Sequence, residues 1–494
     1  MQLKHPKRAR IGASLCLMTA NLLSSNAAFG QAMTDSTNNP LVTEPQKRLN
    51  AYDEPAEELG TIIVDSALVY YQESNGRVRA VEPMVSVTHT SSSGNVFSAK
   101  VTYDSLTGAT PNGATPWTGS QTFVTPADAA SIERGGDDDD DDHDDDDDGI
   151  GSGAGGTHGS TGASGNLVLN SLTGVYERQY TTPANALPVD SAFRDRRVAV
   201  DLGYMFAVAE ATKLSLGLNG SYEQDFRSYA GRISVARELN SKATTLSLGL
   251  NFEHDQSKPF HGIPVPFSRM SGVIGAGTSE TKNVLSLIAG ATQVLTPNLL
   301  VQLNYSFGKS SGYQTDPYKI LSVLDPVSGA PLRYLYESRP DSRTRHSAYA
   351  AAKLATGSFV TDISGRYYHD NWGVNSYTIE IAEHMPVGAS AYIEPRIRYY
   401  HQSAADFFSY YLPSDAALPA FASADSRLDS FNALTFGISG AVQITPGVEI
   451  YANAERYTQK KAGGYGALPT GLTGLKLFGG ANAMSGLLGV KIKY

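Results

Sequence analysis

Apolar and polar residues alternate along most of the chain from residue 60 onward, in segments of about ten residues. In 301–307 every second side chain is large and apolar, and the positions between them hold Gln302, Asn304 and Ser306. Segments 214–222 and 246–253 repeat this pattern, with mainly Ser, Gly and Asn at the polar positions. Because successive side chains of a strand point to opposite faces, this period of two predicts β-strands with one apolar and one polar face.

Two architectures use such strands. A soluble sandwich buries the apolar face against a second sheet, whereas a transmembrane barrel turns it to lipid and encloses the polar face. Three features favour the barrel: strands near the ~9–11 residues that cross a bilayer at a tilt, polar faces with few charges, and an alternating last strand that ends at Tyr494. Such an ending resembles the assembly signal of bacterial outer-membrane barrels. The sequence therefore predicts an all-β fold, a transmembrane antiparallel up-and-down β-barrel with long extracellular loops.

The pattern predicts about sixteen strands, an even number that places both termini on the same, periplasmic side. They are 61–72, 79–90, 95–105, 196–208, 213–226, 230–239, 244–254, 283–295, 299–309, 344–355, 359–371, 374–385, 389–401, 429–444, 448–460 and 483–494. Connections after even-numbered strands are short. After odd-numbered strands several are long, namely 106–195, 255–282, 310–343, 402–428 and 461–482.

The first thirty residues have the pattern of a secretory signal. Residues 1–10 are basic, Ile11–Leu23 is apolar but too short to span a bilayer, and Ala28 and Gly30 are the small residues of a cleavage site. We predict a signal peptide over 1–30, a periplasmic lead-in over 31–58 and an outer-membrane barrel over 59–494. The only cysteine, Cys16, would leave with the signal peptide, which excludes disulfides and cysteine chemistry in the mature chain.

An acidic run at 137–148, inside the loop 106–195, dominates the charge. Its eleven aspartates account for more than the whole net charge of −10, so the remaining chain is near neutral and a nucleic-acid partner is not indicated. Carboxylates at this density repel one another, and hard cations such as Ca²⁺ would relieve the repulsion. A solvated spacer, loosely bound Ca²⁺ and a specific metal site all stay open as interpretations. The candidate ligands are Asp137, Asp138, Asp139, Asp140, Asp141, Asp142, His143, Asp144, Asp145, Asp146, Asp147 and Asp148.

A second group of charges falls on the polar face of predicted strands, and therefore on the inner surface of a barrel. Opposite charges across a lumen can select polar solutes, or they can pair and make the wall rigid, and the two roles are compatible. These lumen candidates are Asp362, Arg366, Asp370, Glu380, Glu394, Arg396, Arg398, Glu449 and Glu455.

Pairs of adjacent tyrosines, such as 367–368 and 399–400, lie near predicted strand ends. They indicate an interfacial girdle, and a stacking platform for a sugar or flavin ring is the alternative. The chain has no paired His-Glu zinc motif and no Walker loop, so we predict that it is not an enzyme. A Ser–His pair formed across strands, as in a membrane lipase, is the remaining enzymatic alternative.

Several longer motifs resemble a known family. They are SALVYYQESNGRVRAVEPM at 66–84, YDSLTGATPNGATP at 103–116, TTPANALPVDSAFRDRRVAVDLGY at 181–204 and TTLSLGLNFEHD at 244–255, followed by GIPVP at 262–266. Together they are similar to a family of uncharacterised Gram-negative barrel proteins known only as a domain of unknown function. The resemblance implies an outer-membrane location and brings no catalytic residues. Members encoded near flavin-transferase and thioredoxin-like proteins imply periplasmic redox, flavin or metal systems as partners.

The sequence therefore favours an outer-membrane channel or transport protein for a small solute or ion, with membrane lipid and the barrel assembly machinery as its partners. The alternative is a structural or partner-binding barrel, occluded by its own long loop, that serves a periplasmic redox, flavin or metal system. Apart from loosely bound Ca²⁺, we predict no cofactor.

Overall fold

The computed structural model describes residues 60–74, 77–126, 166–170, 175–259, 262–270 and 278–494. These residues form twenty-two strands. The strands are β1 Thr61–Glu73, β2 Arg79–Thr90, β3 Val96–Pro111, β4 Gln121–Pro126, β5 Asn166–Asn170, β6 Val175–Thr182, β7 Val189–Ala209, β8 Thr212–Tyr222, β9 Phe226–Leu239, β10 Thr244–Ser257, β11 Glu280–Thr296, β12 Leu299–Gly312, β13 Ile320–Leu324, β14 Pro331–Tyr336, β15 Ser342–Thr356, β16 Phe359–Asp370, β17 Asn375–Val387, β18 Ala391–Gln402, β19 Tyr411–Pro413, β20 Phe431–Thr445, β21 Val448–Lys461 and β22 Asn482–Lys493.

Sixteen of these strands close into one antiparallel barrel, in the ring order β1-β2-β3-β7-β8-β9-β10-β11-β12-β15-β16-β17-β18-β20-β21-β22. The last strand pairs with the first, and the two amides at the seam bond reciprocally: Tyr494 N donates to Ile62 O at 2.9 Å and Ile62 N to Tyr494 O at 3.2 Å. Closure leaves no unpaired edge among the sixteen described strands of the ring. The predicted fold class is confirmed, and each predicted barrel strand overlaps an observed one.

The outer face of the barrel is apolar. Leu218 and Leu303 are 64% and 60% exposed, whereas Gln302 and Asn304, on the opposite face of β12, are buried. A continuous exposed apolar surface of this kind is the surface that a transmembrane barrel turns to hydrocarbon. Within the part of the chain that the structure describes, no helix is both long and apolar enough to cross a membrane.

The two ends of the barrel differ. At one end the connections are tight, such as 297–298, 357–358 and 446–447, and both ends of the described chain lie there. At the other end the connections include 112–188, 313–341, 403–430 and 462–481. β3 and β7 extend further than predicted, so the longest connection is shorter than the 106–195 that the sequence indicated.

The long connections contain short strands that the sequence pattern did not predict. β13, β14 and β19 form one three-stranded sheet, and β4, β5 and β6 form another. All five residues of β13 are buried, so its sequence, Ile-Leu-Ser-Val-Leu, lacks the alternation that marks the barrel strands. A strand covered on both faces reads as an unbroken apolar run, which is why the period-two search passed over it.

Candidate functional site: the charged inner wall and the capped mouth

The nine charged lumen candidates all lie on the inward-facing positions of β16, β17, β18 and β21. Their strand neighbours Ile363, Ile379, Ile397 and Ile450, one residue away, are exposed on the outer face. All nine contact a partner on the inner wall, and neighbouring strands supply nearly all of these partners. The contacts are Asp362 with Lys353, Arg366 over the Tyr349 ring, Asp370 with Arg343, Glu380 with Arg398, Glu394 with His384, Arg396 with Glu455, and Glu449 with Lys491.

The opposite part of the wall carries further pairs that the sequence analysis did not single out. Arg232 bonds both carboxylate oxygens of Asp201, at 2.7 and 2.8 Å. Asp255 lies 2.9 Å from Lys282, and Asp104 pairs with Arg197. Each of these residues occupies the same face as the Ser, Gly and Asn positions of its strand, so strand parity was the signal that could have identified them.

Parts of five connections pack together over one mouth of the barrel, and we call these described residues the cap. The cap comprises residues 112–126, 175–188, 262–270, 313–341, 403–430 and 462–481. β13 pairs with β14 and, in parallel, with β19, which joins two of the connections. The backbone of 262–270 bonds to β14, through Phe267 N to Tyr336 O at 3.2 Å and Met270 N to Tyr334 O at 2.9 Å.

The cap crosses the mouth. Connection 313–341 leaves the ring at β12, the ninth strand, yet its Lys319 donates a hydrogen bond to the carbonyl of Pro111 at the end of β3, the third strand. Arg77, in the β1–β2 connection, donates to the carbonyls of Gly479 and Gly480 at 3.0 and 2.9 Å. The Lys319 contact reaches across the ring, whereas the Arg77 contacts join two connections at the seam between β22 and β1.

The cap also reaches down into the barrel. Phe478 packs against Phe431 and Ala433, which lie on the inward face at the start of β20, and its ring is 6.1 Å from that of Phe431. A second apolar core holds the cap itself together, with the fully buried Phe123 ring 4.9 Å from Tyr334 and 5.4 Å from Tyr180. Apolar contact therefore seals the cap both within itself and to the inner wall.

Five charged side chains meet inside the cap, and we call them the cap cluster: Asp316, Glu337, Arg339, Asp425 and Arg427. Arg339 bonds Glu337 at 2.6 Å and Asp425 at 2.8 Å, while Arg427 bonds Asp316 at 2.8 Å and Asp425 at 2.9 Å. The Glu337 side chain is completely buried, and it also accepts hydrogen bonds from Ser423 Oγ at 2.5 Å and Asp316 N at 2.8 Å. The cluster ties connection 313–341 to connection 403–430.

The electrostatics of the cap cluster differ between its carboxyl groups. Burial alone would raise the pKa of Asp425, but the guanidiniums of Arg427 and Arg339 outweigh it and lower the pKa far below its usual range. The pKa of Asp316 is lowered in the same way by Lys319 and Arg427. For Glu337 burial dominates, so its pKa is raised despite Arg339. The cluster therefore holds two firmly ionised carboxylates and one that resists ionisation.

One glycine shows how closely the cap segments approach. Gly471 N donates to Ser328 O at 2.9 Å, and a Cβ at Gly471 would collide with this carbonyl and with the ring of Trp117. Three connections meet at this point, which explains why only a residue without a side chain fits.

The predicted metal ligands of the acidic run, 137–148, lie outside the described residues, as do the predicted signal peptide and lead-in. In the part of the chain that the structure describes, no group of three or more histidine, cysteine or acidic side chains is arranged to hold a metal ion. Loose Ca²⁺ binding by the run stays a prediction.

The fold and the site together define a transmembrane β-barrel with a polar, charge-paired interior and one mouth covered by its own connections. The chain belongs to the family described as "Protein of unknown function (DUF3570)", which matches residues 32–489. This confirms the resemblance to an uncharacterised family. No curated protein matches the sequence.

Several solved barrel structures are similar to the chain at low identity. CdiB from Acinetobacter baumannii is 6% identical with a TM-score of 0.41, covering 88% of this chain and 60% of its own. The siderophore receptor PirA from Pseudomonas aeruginosa is 8% identical with a TM-score of 0.36, covering 82% of this chain and 57% of its own. The chain thus spans less than two thirds of the length of these structures.

Proposed function

We propose that the chain is an outer-membrane barrel that passes a small polar solute or ion, and that the cap closes one end of its path. The observation that carries the proposal is the cap itself, which spans the mouth from β12 to β3 and inserts Phe478 against the inner wall. In this proposal the connections close the mouth, so the cap must open before a solute can pass. The cap therefore acts as the gate of the proposed solute path.

The chemistry of the inner wall favours the passage of a polar solute. Its charges pair along the wall, on adjacent strands for Arg398 with Glu380 at 2.6 Å and across β8 for Arg232 with Asp201 at 2.7 Å. Paired charges leave dipoles and no strong net field of either sign, and they present both donors and acceptors to a passing solute. An apolar solute would find no such partners on this wall.

The outer-membrane location is part of the proposal. A closed barrel with an apolar outer face satisfies its backbone hydrogen bonds within itself, which a bilayer requires. The predicted signal peptide and the short turns beside both termini agree with export and with insertion from the periplasmic side.

A second candidate is the occluded scaffold that serves a periplasmic redox, flavin or metal system. The same cap favours it, because the cap cluster and the apolar cores around Phe123 and Phe478 bury side chains as a folded domain does. A permanently closed cap would leave the barrel as an anchor for partners and not as a path.

Conductance separates the two candidates. We would compare the full mature chain in planar bilayers with Arg339→Ala/Arg427→Ala, which removes both guanidiniums of the cap cluster. The solute path predicts rare openings in the parent and steady conductance in the variant. Arg333→Ala, on β14 but outside the cap cluster, is the matched control and should behave like the parent.

Silence of the double variant, with its barrel still resistant to unfolding in detergent, would contradict the solute path and favour the scaffold. Large steady conductance in the parent would contradict closure by the cap. Adding neutral sugars of increasing size to the salt solution would then set the size limit of the path, as the largest sugar that enters it and lowers the conductance.

A further inference from the structure

The outer face of the barrel carries a repeated polar motif on the side of the cap. The sequence Arg-Tyr-Tyr-His occurs at 366–369 at the end of β16 and again at 398–401 at the end of β18. In both copies the first tyrosine and the histidine lie on the outward face. Tyr367 and Tyr399 are both exposed.

The two copies make the same contacts. Asn375 Oδ1 accepts a hydrogen bond from Tyr367 Oη at 3.0 Å and lies 2.9 Å from His369 Nδ1. On the next hairpin, Asn432 Oδ1 accepts from Tyr399 Oη at 2.9 Å and lies 2.7 Å from His401 Nδ1. An asparagine oxygen only accepts, so Nδ1 of each histidine carries a proton and donates it. Each ring is thereby fixed, and its Nε2 is left for another partner.

Further tyrosine and histidine side chains lie beside the first copy, on the outward faces of the neighbouring strands β15 and β12. His346 on β15 is the direct cross-strand partner of His369, and its Nδ1 lies 2.8 Å from the Tyr305 hydroxyl of β12. A shallow cavity of about 390 Å³ opens here on the outer surface. Its lining includes Tyr305, His346, Ala348, Tyr367, His369 and Asn375, and we call it the girdle pocket.

The position of the girdle pocket identifies the environment that it meets. Further from the cap on the same strands, the outward residues are Leu303, Ala350 and Ile363, so the pocket lies where the apolar surface gives way to the polar rim. The opposite rim is different: its outward residues include Phe97, Phe359 and Tyr494, with His89 beside Phe97. The cap side therefore has its own chemistry beyond a generic aromatic girdle.

The chemistry of the girdle pocket fits a sugar. Tyrosine rings offer flat stacking surfaces, and histidine Nε2, the asparagine amide and the tyrosine hydroxyls offer both donors and acceptors for hydroxyl groups. Lys309, exposed on the outward face of β12 two residues beyond Phe307, adds a positive charge at the rim. A sugar that also carries phosphate would complement both features.

We propose that the girdle pocket binds the phosphorylated sugar headgroup of a glycolipid in the leaflet on the cap side of the membrane. The inference rests on the proposed outer-membrane location and is independent of whether the barrel conducts. The glycolipid is the occupant because the pocket continues the lipid-facing surface, and because Lys309 complements the charge of phosphate.

Native mass spectrometry of the full mature chain in detergent tests the proposal, with lipid A as the probe. The parent should retain lipid A, and His346→Ala/His369→Ala should weaken binding about tenfold through the loss of two polar partners. His89→Ala, an outward histidine at the opposite rim, is the matched control and should bind like the parent. His346→Gln/His369→Gln, which keeps hydrogen-bonding groups, should recover part of the affinity.

Three results would overturn the proposal. The first is equal binding of lipid A by the parent and the alanine double variant, with both barrels folded. The second is equal binding of phosphatidylglycerol by the parent, because that lipid has the phosphate without the sugar. The third is a parent dimer that the double variant converts to a monomer without a change in lipid, which would assign the pocket to contact between two copies. A silent barrel that still binds lipid A would contradict the proposed function alone.

Discussion

The barrel wall and the cap reach stability in different ways. In the wall, every strand bonds to two neighbours, apolar side chains face outward and the inner charges pair locally. The burial of these pairs varies, from Lys353 and Asp362 at 25% and 30% exposed to Arg396 and Glu455 at 8% and 13%. In the cap, irregular segments from distant strands meet, and the charges of Glu337, Arg339 and Asp425 are almost fully buried. The wall therefore distributes its stability over many similar contacts, whereas the cap concentrates it in a few.

That difference implies that the cap can loosen while the barrel stays closed. No barrel strand relies on the cap cluster for its ladder, since the wall pairs its strands around the full ring. The chain also offers a local reporter. Its two tryptophans, Trp117 and Trp372, both pack in or against cap segments, so tryptophan fluorescence follows the cap separately from the wall.

The largest expected effect comes from breaking the cap cluster. Arg339→Ala leaves Glu337 and Asp425 without their shared guanidinium in a buried site, which should cost the cap about 3–5 kcal/mol. Hydrogen exchange should rise in 313–341 and 403–430 and stay unchanged in the barrel strands. Equal protection of the cap in parent and variant would show that the apolar cores alone hold it.

The next effect is smaller: the contributions of Asp425 and Glu337 to cap stability should depend on pH in opposite ways. The lowered pKa of Asp425 means that its contribution is present above about pH 4 and is lost as the pH falls further. The raised pKa of Glu337 has the opposite sign: its ionisation weakens the cap as the pH rises from about 4.5 through the raised value. Asp425→Asn should therefore destabilise the cap at pH 7 and have little effect in strong acid.

Glu337→Gln provides the comparison. It should cost less than Asp425→Asn at pH 7, and it should flatten the fall in cap stability as the pH rises from about 4.5 to 7, because glutamine cannot ionise. Denaturant midpoints read from tryptophan fluorescence at the two pH values measure this. A larger cost for Glu337→Gln than for Asp425→Asn at pH 7 would reverse the assignment.

The smallest effect belongs to the wall. Lys353→Ala removes a partly exposed pair with Asp362, and such pairs contribute about 1 kcal/mol or less. The temperature at which the folded barrel band converts to the unfolded band on gels should fall by only a few degrees. Tryptophan fluorescence should not change. A loss comparable to that of Arg339→Ala would remove the distinction between wall and cap.

The difference between wall and cap also explains which parts of the structure could be predicted from the sequence. The wall strands follow from period two, since each repeats one rule over ten or more residues, as in 301–307. The rule also places Arg396 and Glu455 on the inner face, but their contact depends on the stagger between β18, β20 and β21, which no single strand encodes.

The cap follows no such rule. Glu337 and Arg339 stand in a short polar stretch without periodicity, and their partner Asp425 is far along the chain. The outward histidines are similar: His254, His369 and His401 look scattered in the sequence, and the register of the barrel brings each beside an asparagine. Long-range register, and not composition, creates both sites.

The repeated Arg-Tyr-Tyr-His segments make the assembly of β16 and β18 sensitive to register. Four consecutive residues serve two environments, with arginine directed into the barrel and histidine into the membrane interface. A slip by a single position would exchange them, forcing Arg366 or Arg398 against lipid. A hairpin misaligned by one position would therefore be destabilised in the bilayer, which favours the register seen in the closed ring.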